Sequence, residues 1–586
     1  MKALTSRRIS QAFFLTLFIW FCIVATWGRE WWQLRGWPVN LFLEMDPLVA
    51  LGTVLSTHAW YKTMLWGLVI LILTFLLGRV FCGWICPFGT LNQFVGWLGS
   101  RRRSVKEKIA HNRYHKGQVI KYFLLIAFLV MAGLPVGHSV SLQTGLLDPI
   151  PLIHRSFNTV VIPVVDLLVG ALWVKPRYYE GAWVISVIFF TALFMNLIIP
   201  RFYCRFICPL GALLGICSRY SLWRIGRSEA ACSACNRCEC SCEGACNPAG
   251  KVRIPECVLC LNCLYTCDSG VVGYSTRVSA TGEVVNPDFG RRGLLVSAAS
   301  GLLAVPAIRL NGMVGPNWYY RGVRPPGALP EEEFLKRCIK CGQCMRICPT
   351  NIITPGGLEG GVENLWTPVL NFRAGSSGCQ LNCVACGQVC PTEAIRPFTL
   401  EEKLGTGNSA RKGPIRVGMA FVDQSRCLPW SFDIPCIVCQ ETCPVTPKAI
   451  YLRELFATVR SGNFTVAGVQ GSAITLENAG MKPGRYATGD YYAVVNGNYA
   501  FRTRITQNTK ETIIVKSGPG DQALKDGDTL EIQVRLQRPQ VDIEKCTGCG
   551  ICEHECPVSG QRAVRVSAEN ESRSTSRSLL LKRSGI

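Results

Sequence analysis

Cysteine is the residue type that dominates the possible chemistry of this chain. The 586 residues include 32 cysteines, and most of them lie in short Cys-x-x-Cys groups that often end in Cys-Pro. A Cys-x2-Cys-x2-Cys loop can supply three thiolates to a 4Fe-4S cluster, and a more distant Cys-Pro can supply the fourth. The pattern therefore predicts iron-sulfur clusters and is less typical of a disulfide framework.

The carboxy-terminal half contains four cysteine runs, each of which ends in Cys-Pro. Sixteen cysteines would serve four clusters with none left over. Zinc sites with four thiolates are the alternative, but a repeated terminal Cys-Pro is more typical of ferredoxins. The candidate ligands of the four runs, in chain order, are Cys338, Cys341, Cys344 and Cys348; Cys379, Cys383, Cys386 and Cys390; Cys427, Cys436, Cys439 and Cys443; and Cys546, Cys549, Cys552 and Cys556.

A second, less regular group of ten cysteines lies between residues 232 and 267. Its last four members have ferredoxin spacing, and six earlier thiols compete for the four places of another cluster. The alternative for that other cluster is Cys235, Cys238, Cys242 and Cys246. Two clusters are predicted here, and the preferred ligands are Cys232, Cys235, Cys238 and Cys246 with Cys257, Cys260, Cys263 and Cys267.

A third pattern, Cys-x-x-x-Cys-Pro, occurs twice, in RVFCGWICPFGTL and again in RFYCRFICPLGAL. Proline is favoured in the first turn of a helix, so new helices are expected to start at Pro87 and Pro209. Four thiols would then lie at or near helix amino termini. They could share one metal site, form redox disulfides, remain free, or simply shape the turn. These possible redox or metal thiols are Cys82, Cys86, Cys204 and Cys208.

The elements that carry these cysteines include four apolar runs of nearly membrane-spanning length, at residues 11–28, 64–80, 119–135 and 183–200. Basic residues precede the first run and follow the second and fourth. This distribution places the amino terminus and both Cys-x-x-x-Cys-Pro motifs in the cytoplasm. The net charge of +23 therefore reflects topology, and no nucleic-acid partner is expected. Residues 160–173 contain Pro163 and Asp166, which favours an interfacial or re-entrant segment.

A twin-arginine pair, Arg291 and Arg292, precedes a moderately apolar stretch that ends near residue 308. Such a stretch resembles a Tat signal and predicts a fifth membrane segment, with a buried helix as the alternative. Everything after it would be exported. Within the exported part, residues 463–536 contain short β-type segments, with turns expected at Asn496-Gly497 and Asp526-Gly527.

The expected fold is a membrane α-helical bundle of four main spans plus a fifth Tat-like span. α+β ferredoxin-like multi-cluster domains and a small β insert are joined to it. The predicted segments are a transmembrane domain at 1–228, a cytoplasmic two-cluster domain at 229–287 and a fifth membrane segment at 288–310. A periplasmic four-cluster domain follows at 311–570, with its β insert at about 462–537, and then a polar tail at 571–586.

Other redox cofactors have no evident binding motif in the sequence. There is no Cys-x-x-Cys-His for a covalent haem, no glycine-rich dinucleotide fingerprint and no histidine inside the four spans. About six 4Fe-4S clusters without haem or flavin would transfer single electrons from one to the next. The final redox reactions would then take place in partner proteins. No catalytic residue is identified.

With these motifs in place, residues 1 to about 285 resemble the NapH family of membrane electron-transfer proteins, which is related to the membrane parts of NosR and CcoG. The loop TGLLDPIPLIHRSF is also similar to that group. Residues from about 288 to 570 resemble the periplasmic ferredoxins NapG and MauM, through runs such as GCQLNCVACGQVCPTEAI. The chain therefore looks like a fusion of the two families.

The resemblance implies electron exchange between the quinone pool and a periplasmic oxidoreductase or cytochrome acceptor, in the manner of a quinol dehydrogenase. It also implies a multi-pass protein of the bacterial inner membrane. In such four-cluster ferredoxins, the first run would share ligands with the fourth, and the second with the third. The flavin-binding domain of NosR-type proteins is missing, which disfavours a NosR role.

The rival function is that of a cupric or other metal-ion reductase, or of a redox maturation factor, which would use the Cys-x-x-x-Cys-Pro thiols. Soft thiolates suit Cu(I). For the quinone the sequence names no site. Arg79 and Arg201 precede the two motifs and could polarise a quinone oxygen, although such residues are more often topology anchors.

Overall fold

A computed structural model describes residues 3–27, 37–60, 65–133, 142–169, 177–179, 181–230, 232–287, 290–314, 322–358, 361–500, 502–516 and 524–574. The chain divides into two compact units. The first comprises residues 1–376 with 382–415, and the second comprises 377–381 with 416–586. The predicted polar tail lies mostly outside the described residues.

The first unit is built on apolar helices. Three helices of the described part are long and apolar enough to cross a membrane, namely Leu4–Ala25, Val105–Gly133 and Pro149–Val169. Shorter apolar helices lie at Pro47–Thr57, Leu65–Leu77, Ala182–Leu197 and Pro209–Ser218. The remaining helices of this region are Leu41–Glu44, Pro87–Ser100 and Phe202–Phe206. The predicted first and third runs thus fall in long helices.

The second and fourth predicted runs form shorter helices because the backbone reverses early. The helix Leu65–Leu77 stops at Gly78, whose φ of 84° ends helices readily. The fourth run stops before Arg201, which has a φ of 53°. Both Cys-x-x-x-Cys-Pro motifs begin directly after these reversals.

The segment expected to be interfacial belongs instead to a continuous helix that starts at Pro149. A π-helical turn at Phe157–Val161 lies in its middle. Asp166 is buried within the protein, which removes one of the two reasons, Pro163 and Asp166, that favour an interfacial segment. Residues 170–173 lie outside the described part of the chain.

The twin-arginine stretch forms one helix of 24 residues, Arg291–Val314. It packs along the helix Ile120–Gly133, where a Cβ on Gly301 would lie 2.8 Å from the carbonyl oxygen of Ala127. Its other face exposes leucines at positions such as 295 and 303. Among the described helices, it is not one of the three with the length and hydropathy of a span.

The cysteine-rich parts of the first unit contain only short elements. Antiparallel strands pair at Arg224–Arg227 and Val272–Ser275, and parallel strands at Val252–Arg253 and Glu283–Val284. Short helices lie beside the cysteine groups, at Arg237–Cys240, Asn262–Thr266, Glu331–Arg337, Gln343–Ile347, Ala385–Gln388 and Leu400–Leu404. A further antiparallel pair joins Ile353–Pro355 to Pro368–Leu370.

The second unit combines a small ferredoxin-like core with a β-barrel. In the core, the strand Met419–Val422 pairs with Val564–Ser567, and short helices lie at Leu428–Ser431, Val438–Glu441 and Ile551–Glu555. The barrel is closed and has six antiparallel strands: Ile450–Gln470, Ala473–Leu476, Tyr491–Val495, Thr503–Asn508, Thr512–Val515 and Thr529–Val541.

The predicted β segments are therefore present, and they close on themselves around a separate apolar core. The expected turn at Asn496-Gly497 has φ values of 49° and 66°, as a type I′ turn requires. The two longest strands pair from end to end, so that Ile450 lies opposite Val541. The chain thus enters and leaves the barrel at one place.

Candidate iron-sulfur sites

The first of the four carboxy-terminal cysteine runs, which we call the exported runs after their predicted location, gathers around a loop that the backbone forces into a tight wrap. Lys340 and Gly342 have φ values of 58° and 77°, and the helix Gln343–Ile347 follows. The thiols of this loop lie within electrostatic range of Cys390, the last cysteine of the second run. The Sγ of Cys390 also accepts a hydrogen bond from the amide of Ile395, at 3.4 Å. The resulting group is Cys338, Cys341, Cys344 and Cys390.

In the second unit, too, the last cysteine of one run lies with the first cysteines of another run. Cys427 and Cys439 lie within electrostatic range of Cys556, the last cysteine of the fourth run. In return, Cys546, Cys549 and Cys552 face Cys443, the last cysteine of the third run. The amide of Ala420 donates to the Sγ of Cys546 at 3.4 Å.

The pairing expected from the family resemblance, first run with fourth and second with third, is therefore wrong. Cys390 of the second run joins the first run, and the third and fourth runs exchange their last cysteines. The division into compact units gives the physical reason. All four cysteines of the first run and three of the second belong to the first unit, whereas the third and fourth runs belong to the second.

The cysteine-rich segment between residues 232 and 267 also forms two groups. Cys257 lies in hydrogen-bonding range of Cys246, and the Sγ atoms of Cys242 and Cys246 are 3.4 Å apart. Cys260 and Cys263 face Cys242 as well. In the other group, Cys238 faces Cys267. The structure thus brings Cys242, which is absent from the preferred ligand set, to the regular run, and Cys246 joins it there.

Burial determines the protonation of many of these thiols. It raises the pKa of Cys341, Cys439 and Cys549 to about 12. A thiol binds a metal as the thiolate, so occupation of these sites releases protons, and an empty site keeps neutral thiols. In contrast, a hydrogen bond from Cys246 lowers the pKa of Cys242 to about 7, despite its burial.

The two membrane motifs form nearly the same turn twice. A π-helical turn covers Phe81–Ile85 in the first copy, and a short helix covers Phe202–Phe206 in the second. As predicted, new helices begin at Pro87 and Pro209. The preceding cysteines cap them: the Sγ of Cys86 accepts from the amide of Gly89 at 3.3 Å, and that of Cys208 from Gly211 at 3.1 Å.

The four motif thiols meet, although the two copies are about 120 residues apart in the chain. Cys82 and Cys204 each lie within electrostatic range of the other three thiols of the set. Three of the four are buried, and Cys82 is partly buried. We call Cys82, Cys86, Cys204 and Cys208 the thiol quartet.

Two buried arginines flank the thiol quartet. The Nη2 of Arg79 lies 3.8 Å from the Sγ of Cys82, and its Nη1 donates to the carbonyl of Pro255 at 2.7 Å. Arg201 donates to the carbonyl of Cys82 at 3.2 Å and forms an ion pair with Glu243 at 2.7 Å. Both guanidinium groups thus connect the motifs to the cysteine-rich segment that is predicted to be cytoplasmic.

The donor sets fit iron-sulfur clusters. Each group is formed by thiols, with amide N–H groups directed at several sulfur atoms, as cluster ligands require. Every cysteine is a free thiol rather than half of a disulfide. In the described part of the chain, no three His, Cys, Asp or Glu side chains lie close enough to hold a single metal ion.

Comparison with known protein families agrees with this chemistry. Residues 60–106 and 181–228 each match a family described as a 4Fe-4S binding domain. Residues 337–394 match a 4Fe-4S dicluster domain, and residues 539–559 match another 4Fe-4S binding domain. The dicluster match contains both the first and the second exported run, as the observed pairing requires.

Several curated proteins are similar to part of the chain. Protein NirI of Paracoccus denitrificans is 31% identical over 239 residues, which are 39% of this chain and 32% of NirI. The ferredoxin-type protein NapH of Escherichia coli is 27% identical over 300 residues, 47% of this chain and 90% of NapH. The regulatory protein NosR of Pseudomonas aeruginosa is 29% identical over 234 residues, 40% of this chain and 28% of NosR.

The chain thus spans about a third or less of NirI and NosR but most of NapH. No solved structure matches it significantly. Its apolar helices, cysteine groups and family matches define a membrane iron-sulfur protein with several ferredoxin domains. Within that class, the chain is similar to the NapH and NosR proteins over less than half of its length.

Proposed function

We propose that the protein exchanges electrons between the quinone pool and a periplasmic oxidoreductase, as a quinol dehydrogenase does. The observation that supports this best is a continuous series of cysteine groups through the first unit. The group around Cys257 and Cys260 lies beside the membrane motifs, and the group around Cys341 lies beside the loop at residues 144–155. In the proposed orientation, these two groups are cytoplasmic and periplasmic, respectively, in a bacterial inner membrane.

The contacts at the proposed cytoplasmic end are close. Arg79 and Arg201 lie within electrostatic range of Cys257 and Cys260, respectively. Arg7, on the first membrane helix, donates to the carbonyl of Cys260. Glu256 joins the same region to the helix Ile120–Gly133, through an ion pair with Lys121 at 2.5 Å. The cysteine group is therefore fixed to several membrane helices.

The contacts at the proposed periplasmic end are equally close. Arg155 donates to the carbonyl of Lys340 at 3.2 Å and lies within electrostatic range of Cys341. A Cβ on Gly145 would lie only 2.1 Å from the carbonyl oxygen of Ile339, so only glycine fits there. Tyr203 faces both Arg155 and Cys208. Packed residues thus connect the exported cysteine group to the thiol quartet.

When bound, 4Fe-4S clusters supply single-electron transfer. The proposal assigns two clusters to the cytoplasmic cysteines, with Cys242 added to the candidate ligands, and four to the exported runs. The exported part would act as the carrier to the partner, in the manner implied by its resemblance to NapG and MauM.

A cavity beside the helix Pro87–Ser100 is the best candidate for the quinone site. Its volume is about 400 Å³, and most of the residues that line it are polar or charged, including Gln93, Arg201 and Glu243, with Trp97 and Val105 among the apolar ones. These three side chains, Gln93, Arg201 and Glu243, are connected by hydrogen bonds, because Gln93 donates to Glu243 at 3.0 Å and accepts from Arg201 at 3.1 Å. Arg201 could polarise a quinone oxygen, while Glu243 could accept a proton from a quinol.

Reduction of Cu(II) by the thiol quartet is less well supported. Three of its four thiols are buried, and no described group of side chains has the spacing of a single-ion site.

The test uses full-length protein purified anaerobically in lipid nanodiscs. A menaquinol or ubiquinol analogue is added, and cluster reduction is followed by electron paramagnetic resonance, with Cu(II) as a competing acceptor. We expect reduction by at least one quinol. Rapid Cu(II) reduction together with no response to any quinol would overturn the proposal.

The cavity is tested with a bulky side chain at its mouth. Ser100→Trp should lower the quinol-dependent rate about tenfold and leave the iron content unchanged, because Ser100 lines the cavity. Leu98→Trp is the matched control, since Leu98 is exposed on the same helix and does not line the cavity. Equal rates in the two variants would exclude this cavity as the quinone site.

A further inference from the structure

We propose that the thiol quartet holds one additional iron-sulfur cluster, shared by the two membrane repeats. Each repeat would supply two ligands, and neither repeat would hold a cluster alone. This site is additional to the six clusters predicted from the regular cysteine runs. It does not depend on the identity of the electron donor or acceptor.

The number of thiols in the two repeats supports a shared cluster. A 4Fe-4S cluster needs about four thiolates. The family match at residues 60–106 is described as 4Fe-4S binding, yet that segment contains only Cys82 and Cys86. The second match contains Cys204, Cys208 and Cys217, and the fold brings Cys204 and Cys208 near Cys82 and Cys86. Only the combination of the two segments supplies a full ligand set.

The hydrogen bonds in the turns that carry the cysteines also support a shared cluster. In each repeat, the sulfur of the capping cysteine accepts an amide hydrogen bond from a glycine three residues later. The same type of N–H···S contact reaches Cys390 and Cys546 in the regular runs. Amide donors of this kind stabilise thiolates that bind a cluster.

The space that glycine leaves beside the sulfur atoms also supports a shared cluster. A Cβ on Gly211 would lie 3.2 Å from the Sγ of Cys208 and 2.9 Å from the Nη2 of Arg79. A Cβ on Gly89 would lie 2.7 Å from the carbonyl oxygen of Cys82. Both repeats therefore keep the same position free of a side chain.

The charges of the buried side chains around the thiol quartet also favour a cluster. Arg79 and Arg201 are completely buried, and a buried guanidinium needs a nearby negative charge. Both nearby carboxylates are shared between two cations: Glu243 pairs with Arg201 and Arg7, and Glu256 pairs with Lys121 and lies within electrostatic range of Arg79. An oxidised 4Fe-4S core with four thiolates carries two negative charges in total, which the two arginines would compensate.

The position of the thiol quartet between two other cysteine groups also supports a cluster. The quartet lies beside the cytoplasmic cysteine group, since Gly83 packs against the carbonyl of Val258. On its other side, Cys208 and Cys204 face Tyr203, which in turn faces Arg155 near Cys341. A cluster here would shorten the gap between the cytoplasmic and exported groups.

The test compares iron and acid-labile sulfide in anaerobically reconstituted full-length protein. Cys82→Ser, Cys204→Ser and the double variant should each lose about four iron and four sulfide per chain, together with the same paramagnetic signal. The double variant should lose no more than either single variant, because the site is shared. Cys217→Ser is the matched control, since Cys217 lies on the same helix as Cys208 but outside every predicted ligand set.

Unchanged iron and sulfide in the variants would overturn the proposal. So would additive losses, which would mean that each repeat has its own cofactor. If the variants fail to fold, Mössbauer spectroscopy of the wild-type protein gives an independent answer. It should resolve about seven clusters, and a total equal to that of the regular runs alone would refute the shared site.

Discussion

The exported cysteine groups and the thiol quartet each collect four sulfur atoms from separate stretches of chain, but in different proportions. An exported group takes three thiols from one local loop and a fourth from the neighbouring run. The quartet takes two from each repeat, across about 120 residues. In the exported groups, a short loop already defines most of the site. The quartet exists only when the membrane helices have packed.

This difference should be largest when the metal is removed. We expect iron extraction with a chelator to unfold the exported loops, because a metal that binds only the folded loop contributes its binding free energy to folding. The amides of Gly89 and Gly211 should remain slow to exchange, because apolar helices hold those turns. Hydrogen exchange measured before and after extraction checks both expectations. Equal loss of protection in the two regions would remove the distinction.

The exchange of the last cysteine is tested by single substitutions. Cys390→Ser and Cys341→Ser should abolish the same paramagnetic signal, with a loss of about four iron each. Cys556→Ser is the matched control, since it should remove a different signal, the one shared with Cys427. If Cys556→Ser and Cys341→Ser removed the same signal, the pairing of first with fourth run would be restored.

The quartet should also respond more strongly than the exported groups to its two arginines. Arg79→Gln and Arg201→Gln each remove a buried positive charge, which should lower the midpoint potential of the quartet signal by about 50 to 100 mV. The exported signals should stay constant. Arg101→Gln, at an exposed position on the same side, is the control. Redox titration that shows equal shifts for all three variants would contradict this role.

The smallest effect is expected for the barrel. Ile450 pairs with Val541, so residues 455–536 can be replaced by a short Asn-Gly turn without moving the ends. The iron content should be unchanged, and the stability of the second unit should change by no more than about 1 kcal/mol. Chemical denaturation followed by absorbance of the clusters measures this. A loss of clusters would show that the barrel supports the ferredoxin core.

The features that the sequence predicted well are local ones. The helix starts at Pro87 and Pro209 and the turn at Asn496-Gly497 depend on residues within a few positions of each other. Proline after a capping cysteine and glycine at positive φ act through the backbone alone. These predictions needed no knowledge of tertiary packing.

The features that were missed depend on contacts between distant segments. The ligand pairing was carried over from a family analogy, and no spacing within a run distinguishes one partner run from another. Cys242 has irregular spacing, so only the fold shows that it faces Cys260. Pro163 and Asp166 favour an interfacial segment at residues 160–173, because the burial of Asp166 cannot be recognised from the sequence.

The arginines before the two motifs have a consequence for how this protein can evolve. Arg201, in the second copy, bonds to the first copy at Cys82, and Arg79, in the first copy, approaches Gly211 in the second. A duplicated segment whose copies complete each other in this way cannot lose or specialise one half. Substitutions around one motif should therefore be accompanied by compensating substitutions around the other, and two half-length chains should regain function only when they are produced together.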